Sequence, residues 1–132
     1  MKRILILLLL FSNKSYSQTT PEELAELWVE AIKSKSKVNL MKIIHPKCKK
    51  SDISPQHLTR MISGELPPKY KVHIQNLNLS KAQSSYYKVA PSRQVSLKYQ
   101  LDTLADKKLY GLGKAFPAAI FENKWYFVLC LK

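Results

Sequence analysis

From Thr20 onward the apolar positions recur at helical spacing. Leu24, Leu27, Trp28, Ala31 and Ile32 fall three, four, seven and eight apart and form one stripe. Thr20 is a capping residue, Pro21 suits the first helical position, and Glu23 predicts a capping box. A short second helix is predicted from Lys37 to Ile44, capped by Ser36. Pro46 disfavours helical geometry at His45 and ends it. A third begins at Ser54-Pro55, turns Leu58, Met61 and Ile62 inward and stops at Gly64. After Pro67-Pro68 the period becomes two. Tyr70, Val72 and Ile74 alternate, and Leu77 and Leu79 follow on the opposite parity, which predicts a bulge near Gln75-Asn76. Tyr86 to Ala90 is a short candidate strand. Val95, Leu97, Tyr99 and Leu101 alternate cleanly with polar residues. Phe116 to Phe121 and Lys124 to Leu131 flank Glu122-Asn123 as a hairpin. Three helices followed by antiparallel strands define an α+β class.

Ahead of these elements lies a different pattern. Met1-Lys2-Arg3 is a positive start, Ile4 to Phe11 is an unbroken apolar run, and Ser15-Tyr16-Ser17 puts small residues at a peptidase site. This reads as a signal peptide over residues 1–17, cleaved before Gln18, with a single domain over 18–132. Eight helical residues rise only about 12 Å against a hydrocarbon core of about 30 Å, which argues against a transmembrane anchor. The expected location is exported, periplasmic or secreted.

The whole chain of 132 residues carries 22 Lys and Arg against nine Asp and Glu, for a net charge of +13. Taking Lys2, Arg3 and Lys14 from +13 leaves +10 for the domain. Nearly all of these cations are lysines, and lysine gives a hydrated point charge where arginine gives a phosphate-gripping fork. The excess therefore favours anionic surfaces diffusely. Export, with no Gly-rich phosphate loop and no aromatic-basic RNA motif, excludes nucleic acid as the expected partner.

The order of helices, the Ile43-Ile44-His45-Pro46 segment and the closing Glu122-Asn123-Lys124-Trp125-Tyr126-Phe127-Val128 together resemble the nuclear transport factor 2-like, or ketosteroid-isomerase-like (SnoaL-like), superfamily. The resemblance spans Pro21 to Leu131. It implies a cone in which a curved antiparallel sheet wraps the three helices and leaves a pocket. That superfamily holds isomerases, dehydratases, transport factors and binding domains, so the fold does not hand over a function.

A cone-pocket isomerase needs an internal carboxylate or histidine base. Glu22, Glu23, Glu26 and Glu30 sit on the first helix, Asp52 and Glu65 at helix boundaries, Asp102 on the polar strand face, and Asp106 and Glu122 in turns. The family's internal acid is thus missing from the matching positions, and no catalytic residue is assigned. His45 is expected to serve as a cationic helix end, His57 to be exposed, and His73 to face away from Val72 and Ile74. Their spacing carries no metal signature, and no cofactor or metal is expected.

Two binding surfaces remain. Tyr70, Tyr99 and Trp125, with Tyr86, Tyr87, Tyr110 and Phe127, form a strand-borne aromatic set that is either core or an apolar ligand pocket. Lys33, Lys35, Lys37, Lys42, Lys47, Lys49 and Lys50 fall in eighteen residues without an acid. They form either a solvated edge or a docking patch for an anionic envelope component or acidic protein, centred on Lys47, Lys49 and Lys50. The reading is an exported binding or assembly module of the bacterial envelope. The alternatives are a small cone-pocket enzyme or a surface-binding inhibitor or immunity protein. The sheet's outer face leaves a homodimer open. Export also sets the state of Cys48 and Cys130: in a cone the last strand curls beneath the helices, so a disulfide competes with two buried thiols.

Overall fold

The computed structural model describes residues 17–67, 69–100 and 109–132. The apolar leader before Ser17, and Leu101, Asp102 and Asp106, lie outside the described residues, as does the Tyr110 side chain. Helix α1 spans Pro21–Ser34. The Thr20 hydroxyl accepts from the Glu23 N–H at 3.1 Å. Only this half of the expected capping box forms. The Glu23 carboxylate instead takes the Ser17 N–H, the Ser17 hydroxyl and the Thr19 hydroxyl. Those bonds hold its pKa below the ordinary range. At the other end the Ser36 N–H reaches Ala31 O, with Lys35 in the left-handed region at φ 53°. That is a Schellman stop with lysine where glycine is usual.

Helix α2 covers Lys37–Met41, shorter than expected. Ile43 and Ile44 leave the helix because a distant strand takes their backbone. Phe127 N donates to Ile43 O at 2.9 Å, and His45 N donates to Phe127 O at 2.8 Å. Ile44 thereby forms a parallel bridge with Phe127. A 3₁₀ turn at Lys50–Asp52 leads to α3, Pro55–Ile62, with Ser54 as its cap and Leu58, Met61 and Ile62 buried as expected.

The sheet is an antiparallel meander in the order β1-β2-β3-β4, with β1 at Tyr70–Asn76, β2 at Arg93–Gln100, β3 at Leu109–Phe121 and β4 at Lys124–Phe127. β1 stops at Asn76, so the parity change before Leu77 is a strand end and not a bulge. The irregularity lies between β2 and β3. Ser96 faces Ala115 and Lys98 faces Gly111, so one residue of β2 stands against three of β3. The expected strand at Tyr86 to Ala90 shrinks to a single bridge, Tyr87 with Leu131. A short helix α4, Lys81–Ser85, precedes it and is held by a full Ser80–Gln83 capping box. The Glu122-Asn123 hairpin forms, with both residues at positive φ, 49° and 66°. That is the twist-matched turn of two-residue hairpins.

The core lies between α1 and one sheet face. Val95, Leu97, Phe116, Ala118 and Phe127 point toward Leu24, Trp28 and Ile32. Trp28 meets Phe127 edge-on at 5.0 Å and Phe116 at 5.5 Å. Its indole N–H donates to Met61 O at 2.8 Å, which satisfies the buried donor and ties α1 to α3. The centre of the helix–sheet interface is therefore filled by an indole.

Candidate functional site

The segment from Lys42 to Asp52 carries Lys42, Lys47, Lys49 and Lys50 of the lysine run, and it is tied to the sheet at several points. The Ile44–Phe127 bridge fixes its start. Cys48 N donates to His45 O at 2.8 Å. Cys48 and Cys130 form a disulfide, with Cα atoms 5.3 Å apart and a separation of 82 positions in sequence. Of the two alternatives for these cysteines, the bonded one holds.

Lys47, Lys49 and Lys50 project from this anchored segment and are all exposed. The Lys47 ammonium sits over the Phe121 ring, 5.8 Å from its centre. The nearby acid is Asp52, which is already engaged by Lys88 at 2.7 Å. That contact, with the Lys49 N–H, holds the Asp52 carboxyl below its ordinary pKa. Of the lysines before this segment, Lys35 is exposed but tied to the end of α3. Its ammonium donates to Ile62 O at 3.1 Å and to Gly64 O.

His45 departs from its expected role. It lies past the end of α2 and is buried between Phe121 and Tyr126, with ring centres 5.0 Å and 5.9 Å away. Its Nδ1 accepts the Lys47 backbone N–H at 3.1 Å, which requires the neutral imidazole. Burial, and secondarily the Lys47 charge, push its pKa down. It is a neutral wedge and not a cationic cap. His57 is exposed at the start of α3 as expected, and His73 lies opposite Ser96 on the other sheet face from Val72 and Ile74. Among the described residues no three His, Cys, Asp or Glu side chains gather as a metal site.

The aromatic set divides. Tyr70 and Tyr99 are cross-strand partners, half-buried at one end of the sheet. Trp125 pairs with Ile120 at the other end, beneath the Arg93 guanidinium at 5.8 Å. The Trp125 backbone also exchanges bonds with Gln18: its N–H donates to Gln18 O at 2.7 Å, and the Gln18 amide donates to Trp125 O at 2.9 Å. Register thus separates Tyr70 and Tyr99 from Trp125.

The sequence did not single out a groove of about 250 Å³ between α3, β3 and the carboxy-terminal residues. Tyr87, Phe116, Pro117, Leu129 and Leu131 form its floor and walls, and His57 and Arg60 stand at one side. Lys114 donates to Arg60 O at 2.8 Å. The local signal is Arg60, exposed on a helix whose apolar residues Leu58, Met61 and Ile62 are buried. Grooves of similar size, about 260 and 290 Å³, occur beside Gln18, Leu27 and Lys42, and beside Ile32, Gly64 and Leu66. Among the described residues no helix is long and apolar enough to cross a membrane.

Comparison of the chain with protein-family models, curated proteins and solved structures found no match.

Proposed function

We propose that this chain is an exported binding module that docks on anionic lipid headgroups through Lys47, Lys49 and Lys50. The observation that carries this reading is the anchoring of those lysines. Exposed lysines on a free loop would lose conformational entropy on docking. Here the backbone beneath them is already held by a disulfide and a β-bridge, so that cost is reduced. The neighbouring acid is committed to Lys88, which leaves the three ammonium groups to face an external anion. The disulfide fits an oxidising compartment, in keeping with the leader-like start of the sequence. The order of helices before an antiparallel sheet supports the nuclear transport factor 2-like reading of the fold as part of this proposal. The indole at the centre of the core favours a surface role over chemistry in an internal pocket.

The test is co-sedimentation with vesicles of neutral phosphatidylcholine, with and without anionic phosphatidylglycerol. Binding should require the anionic lipid and fall as salt rises. Each lysine near the surface contributes about 1 kcal/mol, so K47E/K49E/K50E should release the protein. Equal binding to neutral vesicles, or an unaffected triple variant, would overturn the proposal.

A further inference from the structure

The groove between α3, β3 and the carboxy-terminal residues has a chemistry of its own. Its floor is apolar: Phe116, Pro117 and Leu129 lie beneath, Tyr87 closes one side, and Leu131 overhangs with 56% of its surface exposed. Leu129 and Leu131 point one way from the terminal segment, and Cys130 between them points the other, into the disulfide. The wall of the groove is therefore held in place by the same bond that anchors the lysine segment.

The mouth is cationic. Arg60 lines it, and Lys114 and Lys35 both reach the end of α3, at Arg60 O and at Ile62 O and Gly64 O. Burial, and then the neighbouring charges of Lys35 and Arg60, lower the Lys114 pKa from its ordinary value. Among the described residues no acid lines the groove and no carboxylate pairs with Arg60. Arg60 is the full positive charge on the groove lining, and an anion placed beside it gains a Coulomb attraction that no carboxylate of the described lining supplies. The arginine fork matches a carboxylate in particular.

We infer that this groove binds a single-chain carboxylate amphiphile, its acyl chain on the Phe116–Leu129–Leu131 floor and its headgroup at Arg60. A volume of about 250 Å³ lies just below the range of roughly 300–1,000 Å³ for pockets that enclose drug-sized ligands. The occupant is accordingly a medium-length chain laid along an open trough. The inference is independent of the lysine segment, whose residues do not line the groove.

The experiment is an NMR titration of the purified, isotope-labelled protein below micelle-forming concentrations. Decanoate is compared with an uncharged decyl glycoside and with decyltrimethylammonium. Decanoate should shift the amides of Tyr87, Phe116, Leu129 and Leu131 in a saturable way. The cationic chain should not bind, and the uncharged one should bind at least tenfold more weakly. R60E and L131D change exposed side chains, so each should leave the spectrum folded while weakening decanoate at least tenfold. K47E/K49E/K50E should bind decanoate as the unaltered protein does, which separates this site from the vesicle-docking surface. Equal response to all three headgroups, shifts scattered outside the groove, or full affinity in R60E would overturn the inference. So would a concentration-dependent dimer abolished by L131D that shows no decanoate shifts, because the groove's occupant would then be a second copy.

Discussion

At the scale of single residues, two buried side chains control more than their neighbours do. His45 is held neutral, its Nδ1 accepting the Lys47 N–H between two aromatic rings. In the unfolded chain the same imidazole takes a proton near its ordinary 6.5, while in the fold its pKa is lowered. The unfolded state therefore binds more protons as pH falls, and stability declines from about pH 7 toward pH 5. Above that window the contribution is complete. His45→Gln keeps a hydrogen-bond acceptor but does not titrate. Its urea midpoint should change less between pH 7.5 and 5 than that of the unaltered protein. Parallel pH profiles for the two proteins would show that His45 is not the group responsible. Trp28 is the other such residue. Truncation to alanine removes two edge-on ring contacts and leaves Met61 O without its indole donor. The cost should be about 3–5 kcal/mol, read from urea unfolding. A loss below 1 kcal/mol would mean that the core collapses around the gap.

At the scale of elements, the β3–β4 hairpin offers a direct check on turn chemistry. Glu122 adopts φ 49°, a region that costs a residue with a Cβ roughly 1–2 kcal/mol unless its side chain compensates locally. Asparagine tolerates that region better, so Glu122→Asn should raise the melting temperature by a few degrees. A lower melting temperature would show that Glu122 makes up its backbone cost elsewhere. The turn was legible because its signal is local, as were the starts of α1, α2 and α3, each marked by a hydroxyl cap. What was not legible was set by partners far along the chain. Ile43 and Ile44 fit a helical stripe, and only Phe127, more than eighty residues on, draws them into a bridge. The register shift between β2 and β3 depends on Gly111 and the residues after it. α4 has no apolar stripe, and only its Ser80–Gln83 pair marks it. The candidate sites divide in the same way. The lysine run is contiguous and visible in sequence. The apolar groove joins Arg60, Phe116 and Leu131 from three separated stretches, and periodicity cannot show that they meet.

At the scale of the whole molecule, the Cys48–Cys130 bond joins the segment after α2 to the residues after β4 and closes a span of 82 residues. Closing a loop that long removes unfolded-state entropy worth about 4–5 kcal/mol, and a domain has only about 5–15 kcal/mol in total. The native contacts beside it do not depend on the bond. The Ile44–Phe127 bridge, the His45 N–H to Phe127 O bond and the Lys88 N–H to Cys130 O bond are made by backbone alone. Replacing both cysteines by alanine should therefore lower the urea midpoint strongly and leave the folded amide spectrum close to the original away from the two sites. The lysine segment and the groove wall, each tied down beside a cysteine, should become the most mobile parts of the variant. Hydrogen exchange at the His45, Lys88 and Lys132 amides should accelerate more than exchange within α1. An unchanged midpoint would mean that the unfolded chain is already compact enough for the cross-link to constrain nothing. Fast exchange spread evenly over α1 and the sheet would mean instead that the bond supports the core, and not the two surfaces to which the binding proposals are attached.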